Sequence, residues 1–335
     1  MKKYIIIFYS ISFVFFSSCN RNEKITIEKN NNRNLVKSCK NIDSILRSEI
    51  KLFDFDGENI EAEIKKLSNE HPYFFKDTLK NFFRDIANDI NYNIIYDSVF
   101  VKFNKLENIY KDVNIGLCIF NKYFPNFQPR LVTMIDDDII DTFSPPFNPI
   151  AFDKINNIIL IQLQWFLGKD HVFYSNRAQP IPEYLTQRYQ SQYIAPMIFQ
   201  SISNSYMKQN NKEDFLTSII NEAKPYLFSE IMLPHLTDSI IFGASKNDID
   251  FFNKNAHMVW KYILENEYLF SGESNLKQQF ITPSSSNHLG TPGRFGVWIG
   301  WQILRSYYNN NNKSLKEVLE ETNYLKLLNE SNYKP

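Results

Sequence analysis

The chain has 335 residues, 43% hydrophobic and 22% charged, and its 37 basic and 37 acidic side chains cancel to a net charge of zero. That balance excludes the clustered basic surface of a nucleic-acid-binding protein, and the ordinary apolar fraction excludes a wholly disordered chain. An aromatic content of 16%, carried by 29 Phe and 19 Tyr, supplies large side chains for one sizeable core.

Lys2 and Lys3 form a positive n-region, and Ile5 to Phe16 is an apolar run broken by Ser10 and Ser12. The run is too short for a permanent transmembrane helix, which needs about 20 apolar residues. Ser17 and Ser18 then precede Cys19. Two small residues before a Cys resemble a lipobox, which implies a signal peptide over residues 1–18, cleavage before Cys19 and acyl chains on that residue. Several acyl chains make a stable anchor, each buried methylene contributing about 0.8 kcal/mol. Residues 19–41 are polar and include Asn30, Asn31 and Asn32. They cannot bury much apolar surface, so a flexible tether is expected there. A single α+β domain is expected over residues 42–335.

Within that domain, Glu49 to Asp56 alternates like a strand and Gly57 ends it. Glu58 to Asn69 places Ile60, Ile64 and Leu67 at helical spacing, and the stretch from His71 to Phe75 breaks the pattern. Leu79, Phe82, Phe83, Ile86 and Ile90 form a helical stripe, and one long helix is expected from about Ser98 to Tyr123, closed by Pro125. The character then changes. Arg130 to Ile135, Ile150 to Phe152 and Ile158 to Leu163 read as strands of one small, antiparallel sheet. Beyond Gly168, amphipathic helices are expected around residues 194–207, 215–227, 248–264 and 297–308. Ser314 with Glu317 fits a capping box that starts a last short helix. The sum is an α+β fold, mainly helical, around one central sheet.

Local chemistry is sparse. The five His (His71, His171, His235, His257, His288) are scattered, no His-Glu-x-x-His occurs, and neither a Gly-x-Ser-x-Gly elbow nor a phosphate-binding Walker loop is present. No cofactor or metal is expected. Asp136, Asp137, Asp138 and Asp141 could hold a hard cation, but no loop of Ca²⁺-binding spacing surrounds them and a solvated turn is the plainer reading. In an exported protein Cys39 and Cys118 could pair, but no spacing pattern supports it. We read Cys118 as a small core residue and Cys39 as a free thiol. The most unusual stretch is Gly290 to Trp301, with four of the nine Gly of the chain. Thr291 suits an N-cap and Pro292 the first helical position. Gly296 and Gly300 permit close packing by a neighbour, the plainer role, while the helix start near Arg294 could bind an anion. Arg294, Trp298, Trp301 and Arg305, with Asp170 and His171, are the candidate ligand or partner residues.

In order, the chain carries Tyr123-Phe124-Pro125 leading into Pro129 to Thr133, Leu167 to Tyr174, and Pro182 to Leu185. Met232-Leu233-Pro234 follows, then Thr237-Asp238, Trp260 to Ile263, and Glu267 to Phe270. It ends with Pro292-Gly293-Arg294 and Trp298 to Tyr307. Together with the lipobox, these segments resemble the gliding motility lipoprotein GldB family of Bacteroidetes over nearly the whole chain. The resemblance implies a cell-envelope lipoprotein that serves gliding and the associated type IX secretion machinery through protein partners, without enzymatic activity. No acidic cluster follows Cys19, which favours an outer-membrane anchor facing the periplasm. The family also looks distantly similar to zincin metalloproteases, in which case Gln200 and Asn204 would replace the metal ligands and Ser201 the catalytic Glu. Amides and a hydroxyl are poor substitutes there, so the site would be degenerate. Gln164 and His235 stand where the family commonly carries acidic residues. Two alternatives remain open: a zincin-like hydrolase, and a ligand-binding envelope lipoprotein.

Overall fold

The computed structural model describes residues 23–36, 45–47, 62, 65–66, 68–69, 90–135, 145–176, 179–286 and 290–335. Cys19, Cys39, the strand expected from Glu49 to Asp56, the His71 to Phe75 break, the stripe from Leu79 to Ile86, the Asp136 to Asp141 cluster and His288 lie outside them. Helix α1 is Glu23–Val36, β1 is Ile45–Arg47, α2 is Ile90–Phe103 and α3 is Glu107–Tyr123. Strands β2 (Arg130–Met134), β3 (Ile150–Asp153) and β4 (Ile158–Gln162) follow. Two short helices, α4 (Val172–Ser175) and α5 (Glu183–Thr186), lead to α6 (Ile194–Asn204), α7 (Phe215–Met232), α8 (Asp238–Phe242) and α9 (Lys246–Glu265). The chain closes with α10 (Ser274–Phe280), α11 (Phe295–Asn310), α12 (Leu315–Glu320) and α13 (Tyr324–Ser331).

The α+β reading holds, and α6, α7, α9 and α11 stand where apolar periodicity places them. The sheet differs from expectation. Its order is β1-β2-β4-β3, with β1 and β4 both parallel to β2 (Leu131 opposite Ile159) and only β3 antiparallel to β4 (Phe152 opposite Ile159). The chain leaves β2, passes to the far edge as β3 and returns to β4 through a tight hairpin. Asp153 Oδ1 accepts from the Ile155 and Asn156 amides in that turn, and Asn157 takes a positive φ. Leu131, Val132 and Thr133 are consecutively buried, as in a strand covered on both faces. The long helix expected to Tyr123 is two helices, broken at residues 104–106. No Pro or Gly marks the break, so the periodicity reads through it, yet Phe103 and Leu106 both turn inward.

The expected tether is also different, because residues 23–36 are a docked helix. Among its described side chains the buried apolar one is Ile25. What holds α1 is polar. Lys24 donates to the carbonyls of Asn311 and Lys313, Asn32 to that of Ile231, and Arg33 to that of Pro234. Glu28 accepts from Tyr123 and Tyr308, and Lys29 pairs with Glu230 at 3.1 Å. Cys118 is corrected as well: it is disulfide-bonded, with its partner outside the described residues.

Helix α7 forms the middle of the helical layer, packed by α11, α6, α3 and α1. It carries a fully buried Lys224 whose ammonium donates to the carbonyls of Lys208, Leu319 and Glu321 at 2.6 to 2.9 Å. Three donors meet three acceptors, and the C-terminal helices are clamped to the core. Burial lowers this amine to about 8, with Glu321 partly opposing. Between that value and the ordinary lysine range, the unfolded chain holds the proton and the folded chain does not. Stability contributed by Lys224 therefore rises with pH above about 8 and is flat below it. Lys224→Met should cost about 2 kcal/mol or more at pH 7 through the orphaned carbonyls. The gap in melting temperature to the parent chain should widen between pH 8 and 9.5. A gap that stays constant across that range would refute the buried-amine assignment.

Candidate functional site

The expected site residues separate into three places. Asp170 is exposed and His171 half-buried in the loop before α4, where His171 Nδ1 accepts from the Phe173 amide as an N-cap. Burial and the nearby Lys102 lower the His171 imidazole below its ordinary value, so it is neutral at physiological pH. Nothing joins this loop to Arg294 in a common cluster of described side chains, and it is a local capping arrangement.

Arg305 belongs to a charge network. Its Nε is 2.8 Å from Glu230 Oε2, and its two Nη atoms grip both oxygens of Asp238 at 2.7 and 2.8 Å. Trp301 Nε1 donates to the same Glu230 oxygen at 3.1 Å, while the other takes Lys29. Burial opposes charge on Arg305, but Glu230 and Asp238 outweigh it and hold the guanidinium above its ordinary value. Two cations and two carboxylates are balanced, the guanidinium stacks 3.9 Å from the Trp301 ring, and no donor edge faces outward for a ligand. This cluster ties α1, α7, α8 and α11 together and is structural.

Arg294 behaves differently. It is the N-cap of α11 with φ of 66°, a left-handed conformation that costs a non-glycine residue of order 1 kcal/mol or more. The helix thus begins at Phe295 and not at Pro292, and Thr291 is a buried residue ahead of it. The Arg294 side chain turns inward to meet a residue the sequence did not flag, Arg188, which is 1% exposed. Arg188 Nη1 and Arg294 Nη2 each lie 3.0 Å from the Phe242 carbonyl oxygen, and Arg294 Nη2 also donates to Tyr226 Oη at 2.6 Å. The space for Arg188 exists because Gly243, with φ of 67°, closes α8 without a side chain. A Cβ there would lie 2.4 Å from Arg188 Nη1. Aromatic faces complete the setting. Phe147, half-buried in the loop before β3, covers both guanidiniums, 3.9 Å from Arg188 Cζ and 4.8 Å from Arg294 Cζ. The Phe242 ring is 4.1 Å from Arg294 Cζ. Burial and the neighbouring Arg294 charge lower the Arg188 guanidinium to about 10, and burial lowers Arg294 too, with Tyr226 and Glu222 opposing. Neither arginine has a carboxylate within ion-pair distance among the described residues.

The other expected positions do not converge. Gln200 donates to the Ile241 carbonyl at 2.9 Å, Ser201 donates to that of Ile150 and accepts from Asn148, and Asn204 is exposed. The zincin comparison gains no support from this helix, and among the described residues no three His, Cys, Asp or Glu side chains are grouped to hold a metal. Trp298 and Trp301 are core residues under Phe242. Of the departures noted, Gln164 is fully buried with neither amide atom partnered, and His235 pairs with Asp112 at 2.9 Å on the surface.

The described residues thus form a mainly helical α+β body with a docked N-terminal helix, a balanced core ion network and an arginine pair without a carboxylate. No described helix is long and apolar enough to cross a membrane. The chain belongs to the gliding motility protein GldB family, whose model matches residues 29–335, and the family is one of lipoproteins. No curated protein and no solved structure matches it.

Proposed function

We propose that this chain is a non-enzymatic accessory lipoprotein of the gliding apparatus and its type IX secretion machinery. It is held in the outer membrane by acyl chains on Cys19, faces the periplasm and acts by binding envelope proteins. The observation that carries the reading is the family match over residues 29–335, which takes in every helix from α2 onward and the second half of α1. A second feature gives the anchor a consequence. Helix α1 starts at Glu23, four residues beyond Cys19, a reach of no more than ~14 Å for extended chain. With Cys19 acylated, the folded body sits against the bilayer.

Two measurements test this. Cys19→Ser should move the protein from the membrane fraction to the soluble envelope fraction. Deleting the gene in a gliding strain should abolish colony spreading. Unchanged partitioning rejects the anchor, and normal spreading with normal secretion rejects the role. The hydrolase alternative predicts stoichiometric zinc in the purified protein, which metal analysis reads directly.

A further inference from the structure

The geometry points to an oxyanion site at Arg188 and Arg294, one that takes the carboxylate or phosphate group of a small ligand. A guanidinium presents five N–H donors and accepts nothing. In Arg188 only Nη1 has an acceptor, and its Nε is buried without any partner. In Arg294 only Nη2 is engaged, leaving Nε and Nη1 free of hydrogen bonds. Glu222 acts on Arg294 across a longer gap and forms no ion pair with it. Two buried like charges that share one carbonyl acceptor repel each other, so the ligand-free arrangement is destabilising unless something negative joins it. The unpartnered Nε–Nη2 edge of Arg188 is the fork that matches two oxygens of a carboxylate or phosphate.

The contrast with Arg305 sharpens the inference. Within the same core, that arginine has Glu230 and Asp238 on its donor edges. The fold therefore pairs a buried guanidinium when pairing is its purpose. Arg294 is in addition held in a left-handed backbone conformation, and such strain gathers at ligand sites. Phe147 lies over both guanidiniums on a half-buried loop whose neighbour Pro146 accepts from Tyr189 Oη at 2.7 Å. An anion entering from that side must displace this ring. Phe242 and Tyr226 stay as an aromatic wall beside the bound group.

The test is thermal unfolding of the full folded chain in sodium phosphate or sodium succinate, against sodium chloride at equal ionic strength. The proposal expects a saturable rise of roughly 3 °C or more with at least one of the two oxyanions, since a ligand of the native state alone raises the melting temperature. Phosphate alone would mark a phosphate ligand, succinate alone a carboxylate one. Arg188→Met should abolish the rise. It should not lower the ligand-free melting temperature much, because Arg294 still serves the Phe242 carbonyl and one of two repelling charges is gone. Phe147→Ala keeps both arginines and should bind the same anion at lower concentration. Equal melting temperatures in all three salts, or a rise that survives in the Arg188→Met, Arg294→Met double variant, would overturn the site.

Discussion

Glu230→Ala is expected to cost about 3–5 kcal/mol, the usual penalty for breaking a buried ion pair from one side. Glu230 is 3% exposed, and its two oxygens take Arg305, Trp301 and Lys29. Removing it leaves Arg305 with Asp238 as its one carboxylate among the described residues, leaves the Trp301 indole N–H without an acceptor and frees Lys29 from the core. The loss should be visible both in urea unfolding and in faster tryptic cleavage within α1, where Lys29 sits. Glu230→Gln keeps the shape and one acceptor and should cost less. Adding Arg305→Met to Glu230→Ala should cost less than the sum of the two single changes, because an unpaired buried charge is then removed with its partner. If Glu230→Ala unfolds at the same urea concentration as the parent chain, the network is not desolvated and its assignment as the latch of α1 is wrong.

How far such features could be read in advance depends on how local they are. The amphipathic stripes of α6, α7, α9 and α11 repeat within one element, so the sequence alone located them. The Ser314 and Glu317 capping box is a four-residue event and forms as read, each side chain meeting the other's backbone amide. The docking of α1 was hidden because its contacts join Lys24 to Lys313 and Asn32 to Ile231, hundreds of positions away, and polar residues facing polar partners leave no hydrophobic period. Sheet direction was hidden for a related reason, since β2 and β4 meet only after the chain has passed through β3. The glycine-rich stretch pointed to Arg294 but grouped it with Arg305, about three turns further along the same helix α11. In three dimensions they are served by different clusters, and the partner that matters, Arg188, lies in a short polar segment after α5 with no signature of its own.

Gly300→Ala should be the most damaging single methyl group in α11. A Cβ at Gly300 would stand 2.4 Å from the Ile219 carbonyl oxygen and 2.9 Å from its carbon, both backbone atoms of α7, and 3.0 Å from the Ala223 Cβ. No rotamer change relieves a clash with backbone, so α7 and α11 must move apart. Helix propensity favours Ala over Gly by about 1 kcal/mol, whereas overpacking of a tight core costs about 1–3 kcal/mol and more where the backbone must shift. Steric cost wins, and a net loss of about 2 kcal/mol or more is expected in denaturant unfolding. The effect should reach beyond stability, because the same two helices hold Tyr226 against Arg294 and Glu230 against Arg305. Gly290→Ala is the control. No atom lies within 4 Å of its added Cβ, but its φ of 69° makes the change cost about 1–2 kcal/mol through backbone strain alone. A Gly300→Ala chain no less stable than the parent, or less perturbed than Gly290→Ala, would mean that α11 does not lie against α7 as closely as described, and the packing role of Gly300 would fall with it.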